Sequence, residues 1–331
     1  MRETVRDQAR VSRPVARRDA VIVDTLTLHM NSVTEPHAAR AFPVGALIAL
    51  FAGATCIGMS PIFVRVSETG PTATAFWRVA LAVPALWALW YALERKPRGG
   101  AGPADAPIPF PLLIAAGIAF AGDLGFWHLS IKLTSVANST LLANLAAIFV
   151  TLVAWILYRQ APTRLFAAGL VTALCGVVML VSTSMAFSPT ALAGDGLGVV
   201  TAMFYAWYLL TVKRLRDGGA GTLRLMAVIT TVSAVLLLPA ALAAGEVMLP
   251  ATASGWLKLV GIALISHSAG QGLITYALAH LPAAFSSVSL LFQPVMAAVF
   301  AWVLLGEPLV PLQVAGGIVV LAGIYLARRG S

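Results

Sequence analysis

Ten long apolar runs make up most of the chain: Val44–Val66, Thr72–Leu93, Phe110–Ile131, Ser135–Tyr158, Thr163–Thr183, Gly194–Val212, Thr222–Ala243, Ser254–Ala279, Ala283–Leu305 and Leu309–Ala327. A helix needs about 20 apolar residues to cross the hydrocarbon layer of a bilayer, whereas a barrel strand needs about ten. Apolar residues follow one another here without alternation, and the runs are of helical length. Only helices and closed barrels can cross lipid, because every backbone N–H and C=O must find its partner inside the protein. The pattern predicts an all-α integral membrane protein with ten transmembrane helices. Turn signals separate the runs at Gly70-Pro71, from Pro97 to Pro109, at Gly218-Gly219 and at Gly306-Glu307-Pro308.

Composition supports this. Only 11% of residues are charged, against about 25% in a soluble domain, and the mean hydropathy is +0.88. The net charge of +9 would suggest nucleic acid in a soluble protein. Here the cations sit between apolar runs, and positive loops set orientation in a membrane. With a cytoplasmic N-terminus, the inner side receives Arg95, Lys96, Arg98, Arg159, Arg164, Lys213, Arg214, Arg216, Arg224, Arg328 and Arg329. Only Arg65, Arg78, Lys132 and Lys258 fall on the other side or within a span. Both termini are therefore expected in the cytoplasm, around a multi-pass protein of the inner (plasma) membrane. Residues 1–43 are expected to form a disordered basic cytoplasmic tail, and Met30 is an alternative start. Cys56 and Cys175 both fall inside spans, so no disulfide is expected.

The two halves, 44–183 and 194–328, resemble each other at an offset of about 147 residues. Gly122-Asp123 lies opposite Gly270-Gln271, Asn138-Ser139 opposite Ser286-Ser287, and Gln160-Ala161-Pro162 opposite Gly306-Glu307-Pro308. Arg78 falls near the counterpart of Arg224, and Arg65 near that of Lys213. Five spans per half is an odd number, so the second half enters the membrane from the opposite side. The expected architecture is two inverted five-helix repeats, which supply two related states and a site near the midplane between the halves. Duplication without transport is the alternative.

The sequence also resembles a known family. Phe76-Trp77-Arg78, the segment from Leu129 to Asn138, Tyr276-Ala277-Leu278, Gln293-Pro294-Val295 and Leu305-Gly306-Glu307-Pro308 are similar to the EamA-type, ten-helix branch of the drug/metabolite transporter superfamily. The resemblance spans roughly residues 44–328. It implies an inner-membrane transporter of metabolites, often amino acids or related compounds. The first half departs from the pattern, with Ala147 in place of the proline and Gln160 in place of the acidic residue. Small multidrug pumps of the same superfamily depend on a buried Glu in span one. This chain has Thr55, Cys56 and Ser60 there instead, so that proton–cation exchange does not carry over.

An ionisable residue at membrane depth is costly and marks a candidate site. Arg78 in span two and Asp123 in span three reach similar depth, on the rise of 1.5 Å per helical residue. They are expected to face one cavity and to pair, either as substrate and proton sites or as a structural lock between two helices. Asn144 falls in the same layer, and His128 about one turn higher. Trp77 and Trp127 flank it. In the second half the candidates are His267, Gln271, Tyr276 and Gln293. Pro294 lacks an N–H and so frees a carbonyl one turn back. A helix broken there could line the site.

No phosphate-binding loop, zinc-protease helix or nucleophile elbow is present. No cofactor, metal or nucleic acid is expected, and the chain is not expected to be an enzyme. The expected function is secondary transport of a small organic metabolite by alternating access, amino-acid-like in substrate and outward in direction. The expected partners are that substrate and the lipid bilayer, with proton coupling and a monomeric or homodimeric assembly left open. The alternatives are a multidrug exporter, an intramembrane enzyme and a lipid-scrambling bundle.

Overall fold

The structure, a computed structural model, describes residues 42–94, 109–159, 161–182 and 191–331. The expected tail, the cluster Arg95, Lys96 and Arg98, and Gln160 lie outside the described residues. Ten helices are long and apolar enough to cross a membrane: α1 (Val44–Arg65), α2 (Pro71–Glu94), α3 (Phe110–Leu133), α4 (Val136–Leu157), α5 (Arg164–Val181), α6 (Ala191–Asp217), α7 (Thr222–Ala243), α8 (Ala253–Ala277), α9 (Ala283–Leu305) and α10 (Pro311–Arg329). No strand occurs among the described residues. The helix α6 runs past the expected end at Val212 to Asp217. Its last turn is polar yet still helical, held by an i,i+4 ion pair between Lys213 and Asp217.

Lipid tails are as apolar as Leu, so helices in a membrane associate through close packing rather than through hydrophobic burial. The pair α5 and α10 shows this. Gly169 and Gly176 on α5 face Gly323 and Gly316 on α10, and a Cβ on Gly169 would fall 2.3 Å from the Ala327 nitrogen. A Cβ on Gly323 would fall 2.3 Å from the Ala173 nitrogen. The backbones therefore touch at a crossing that no larger residue permits.

Several spans are interrupted, and the interruptions repeat between the halves. The helix α4 breaks between Val136–Ala143 and Ala146–Tyr158, and α9 between Ala283–Ser289 and Phe292–Leu305. In α9 the missing N–H of Pro294 leaves the Leu290 carbonyl to accept from the Gln293 N–H instead, at 2.9 Å. Proline is not required for the break, because α4 opens at the same level with Ala147 in that position. There Asn144 turns its side-chain amide back onto the Thr140 carbonyl at 2.7 Å. Both spans end in a left-handed residue, Arg159 at φ 53° and Gly306 at φ 69°. The helix α1 is broken at Met59, before Ser60-Pro61, and α8 carries a π-helical stretch over Ile262–Gln271.

Ten crossings return the described chain to the face where it begins. Near that terminal face, the Thr163 hydroxyl at the start of α5 donates to the Gly330 carbonyl after α10. On the opposite face, Arg65 pairs with Glu307, Lys132 with Glu246, and Lys258 with Glu68. Each of these three joins the first five spans to the second five.

Candidate functional site

Seven spans enclose a cavity of about 110 Å³, with lining residues from α1, α2, α3, α4, α6, α8 and α9. The interruptions are what open it. Ser60 and Pro61 lie at the break in α1, Asn144 at the break in α4, and Gln293 and Pro294 at the break in α9. A continuous helix presents only its side chains to a neighbour, whereas a broken one leaves room between its two pieces.

Arg78 and Asp123 both line this cavity. Arg78 is 4% exposed and its Nε has no hydrogen-bond partner among the described residues. Asp123 is near enough to act on it electrostatically. The expected ion pair does not form, however, since none of the described salt bridges includes either residue. A buried guanidinium with five donors and no carboxylate in contact is therefore held open toward the cavity.

Of the other expected residues, Trp127, Asn144, Gln271 and Gln293 also line the cavity. The remaining four are placed elsewhere. Trp77 donates its indole N–H to the Met248 carbonyl at 2.7 Å and packs edge-on against Trp256, so it anchors the α7–α8 connection. His128 is fully buried, and its Nδ1 donates to the Leu124 carbonyl one turn back at 2.7 Å. A carbonyl can only accept, which fixes the proton on Nδ1. His267 is fully buried and bonds through Nε2 to the Thr230 hydroxyl at 2.8 Å, tying α8 to α7. Tyr276 is 43% exposed and packs on His280, away from the cavity.

The repeat register finds lining residues that polarity alone misses. Thr140, Ala143, Ala146 and Ala147 of α4 line the cavity, and so do their counterparts Ser287, Leu290, Gln293 and Pro294 of α9. Tyr205 on α6 completes the polar wall. Arg78 and Arg224, expected to be near counterparts, differ in surroundings, and Arg78 alone of the two borders the cavity. Arg224 sits in the first turn of α7, where its backbone N–H donates to the Glu94 carboxylate. The cavity is therefore uneven, with charges from the first half and neutral amides from the second.

The sequence pattern of the EamA-like transporter family matches residues 44–182 and again residues 192–329. The chain belongs to the EamA-like transporter family. Each match covers five of the ten spans. A protein of Archaeoglobus fulgidus described as an uncharacterized transporter is 29% identical over 276 residues, covering 80% of this chain and 91% of that one. The pseudopaline exporter CntI of Pseudomonas aeruginosa is 27% identical over 286 residues, covering 86% of this chain and 96% of that one. A solved crystal structure superposes with a TM-score of 0.72 at 17% identity, over 85% of this chain and 96% of that chain, which speaks for the fold alone. This EamA protein is thus a multi-pass membrane transporter and not an enzyme.

Proposed function

We propose that this EamA protein is a secondary transporter that exports a small amino-acid-like metabolite by alternating access. The observation that carries the substrate class is Arg78, buried beside the cavity with no protein carboxylate in contact. A guanidinium out of water needs an anion, and it offers two parallel N–H donors to a carboxylate. Asp123 on the same cavity wall supplies the complementary charge for an amine, or a site for a coupling proton. Matching interruptions in α4 and α9 support an inverted pair of five-helix repeats around the cavity, the arrangement from which alternating access follows. Export is favoured because the related P. aeruginosa protein is named as an exporter. The excess of Lys and Arg in the loops on the terminal face supports cytoplasmic termini and an inner-membrane location.

The test compares the culture medium of cells overproducing wild type and Arg78→Ala at equal membrane level, by mass spectrometry. A solute enriched outside with wild type alone supports export through Arg78. Equal enrichment from both removes Arg78 from the site. Enrichment from neither removes constitutive export of a native metabolite.

A further inference from the structure

The second half lines the same cavity with two side-chain amides whose nitrogens make no well-formed hydrogen bond among the described residues. Gln271 on α8 is 1% exposed, its Nε2 makes no well-formed hydrogen bond among the described residues, and the Tyr205 and Tyr208 phenols lie beside it. Gln293, at the break in α9, also has a buried Nε2 with no well-formed hydrogen bond among the described residues, and Tyr205 lies beside it as well. Buried donors are normally satisfied, and one left open bears its full desolvation cost. An amide cannot relieve that cost by losing a proton, as an acid or a histidine can by titrating. Two such groups on one wall are therefore poised for acceptors that arrive from outside.

What they would take follows from their chemistry. Each amide NH2 offers two donors and no charge. The pair suits an sp2 oxygen, either a carboxylate or a carbonyl. It offers nothing to an ammonium group except its own amide oxygens. Gln271 holds the repeat position of Asp123, and Gln293 that of Ala146. The wall of the second half is thus neutral and donor-rich where the first half carries an ionisable carboxyl at the matching position. A hydroxyl from Ser287 and the phenol of Tyr205 border the same space.

We propose that Gln271 and Gln293 form a second subsite for an oxygen acceptor on the substrate's side chain. The transported solute is then an amino-acid-like compound with a side chain ending in a carboxylate or carbonyl, its backbone carboxylate held by Arg78. This rests on the transport function proposed above. It adds a prediction about side-chain chemistry that Arg78 does not make.

The test uses the full-length protein, purified in detergent, with L-glutamate, L-glutamine and L-norvaline as probes. Binding is titrated through tryptophan fluorescence and checked by the ligand-induced rise in Tm. Wild type is expected to bind glutamate or glutamine at least about tenfold more tightly than norvaline, roughly the worth of one good hydrogen bond. The ratio of glutamate to glutamine tells whether charge or the carbonyl alone is read. Gln271→Met with Gln293→Met should erase the preference over norvaline while leaving norvaline binding in place. Arg78→Gln should weaken all three probes together. Where the double variant does not fold, Gln271→Glu replaces it, expected to reject glutamate selectively while glutamine still binds. If wild type binds all three equally and Arg78→Gln weakens all three, the second subsite is wrong and the Arg78 site stands. If no probe binds wild type, both are wrong.

Discussion

Glu246 and Glu94 cap each other's helix hairpins. The Glu246 carboxylate, just past α7, accepts from the Thr72 and Ala73 backbone N–H groups at 2.8 and 3.1 Å, in the first turn of α2. The Glu94 carboxylate, at the end of α2, accepts from the Leu223 and Arg224 N–H groups at 2.9 and 3.1 Å, in the first turn of α7. The N-cap residue is glycine in both cases, Gly70 and Gly221, and neither can offer a capping side chain. Each helix borrows the missing acceptor from the other. A carboxylate at a helix N-terminus also meets the positive end of the helix dipole. A Cβ at Gly70 would fall 2.4 Å from the Glu246 carboxyl, and one at Gly221 would fall 2.6 Å from that of Glu94. Losing a capping side chain costs about 1 kcal/mol. Glu246→Ala and Glu94→Ala are each expected to destabilise by about that amount, and Gly70→Ala and Gly221→Ala by as much or more. Thermal unfolding in one detergent ranks them. Glycine variants that melt like wild type would show that the carboxylates can move aside freely.

The Glu246 cap carries a pH signature. Burial acts to raise its pKa, but the Lys132 ammonium and the backbone N–H groups of Ala73 and Thr72 outweigh that and hold it below the ordinary carboxylate range. A carboxyl with a lowered folded pKa adds stability in full above its unfolded value, near about 4.3. The contribution fades as pH falls through the folded value. Glu246→Gln should therefore melt below wild type at pH 7, by a gap that stays level down to about pH 5 and closes below about pH 4. A gap of constant size through pH 3.5 would mean that the carboxylate charge at this cap contributes nothing.

The left-handed ends of α4 and α9 make a second paired test. Gly306 adopts φ 69° without cost, while Arg159 is the described non-glycine residue with positive φ. A side chain in the left-handed region is strained by roughly 1 kcal/mol. Arg159→Gly is expected to raise the Tm slightly, or at least not to lower it, because relief of strain offsets the extra freedom of the unfolded chain. Gly306→Ala is expected to lower it. Calorimetry of both variants in the same detergent decides, and a loss at Arg159→Gly larger than at Gly306→Ala would contradict it.

How much of this was legible in the sequence depends on the kind of signal. Ten spans were readable because lipid imposes one length and one composition on each, and Val44, Phe110 and Thr222 begin their helices where the apolar runs begin. Arg78, Asp123, Gln271 and Gln293 stood out because polar atoms at depth are expensive. The same rule also drew in His128 and His267, which bond to the backbone of α3 and to Thr230 of α7 and do not line the cavity. Depth can be counted along a sequence, but the direction in which a side chain points cannot. The Glu94 and Glu246 caps were hidden for a further reason. Their partners lie at |i−j| of 129 and 174, and no local pattern links a glycine N-cap to an acid that distant. The α4 break at Asn144 was hidden because Ala147 stands where the α9 break has Pro294, so no proline marks it.

Asp123 separates a lock from a working site. A structural ion pair with Arg78 would make the carboxylate essential to folding, since removing one partner of a buried pair leaves an uncompensated charge at a cost of about 3–5 kcal/mol. No such pair is formed, and Asp123 faces the cavity with Arg78 acting on it only from beyond contact distance. Asp123→Asn keeps the size and shape of the side chain and removes only its charge. It is expected to reach the membrane at wild-type level and to melt within a few degrees of wild type, while export into the medium falls at least tenfold. Asp123→Glu should restore part of the export if charge is what matters. An Asp123→Asn protein that fails to accumulate or to stay monodisperse would show that the carboxylate holds α2 and α3 together. Export unchanged in a well-folded variant would take Asp123 out of both roles.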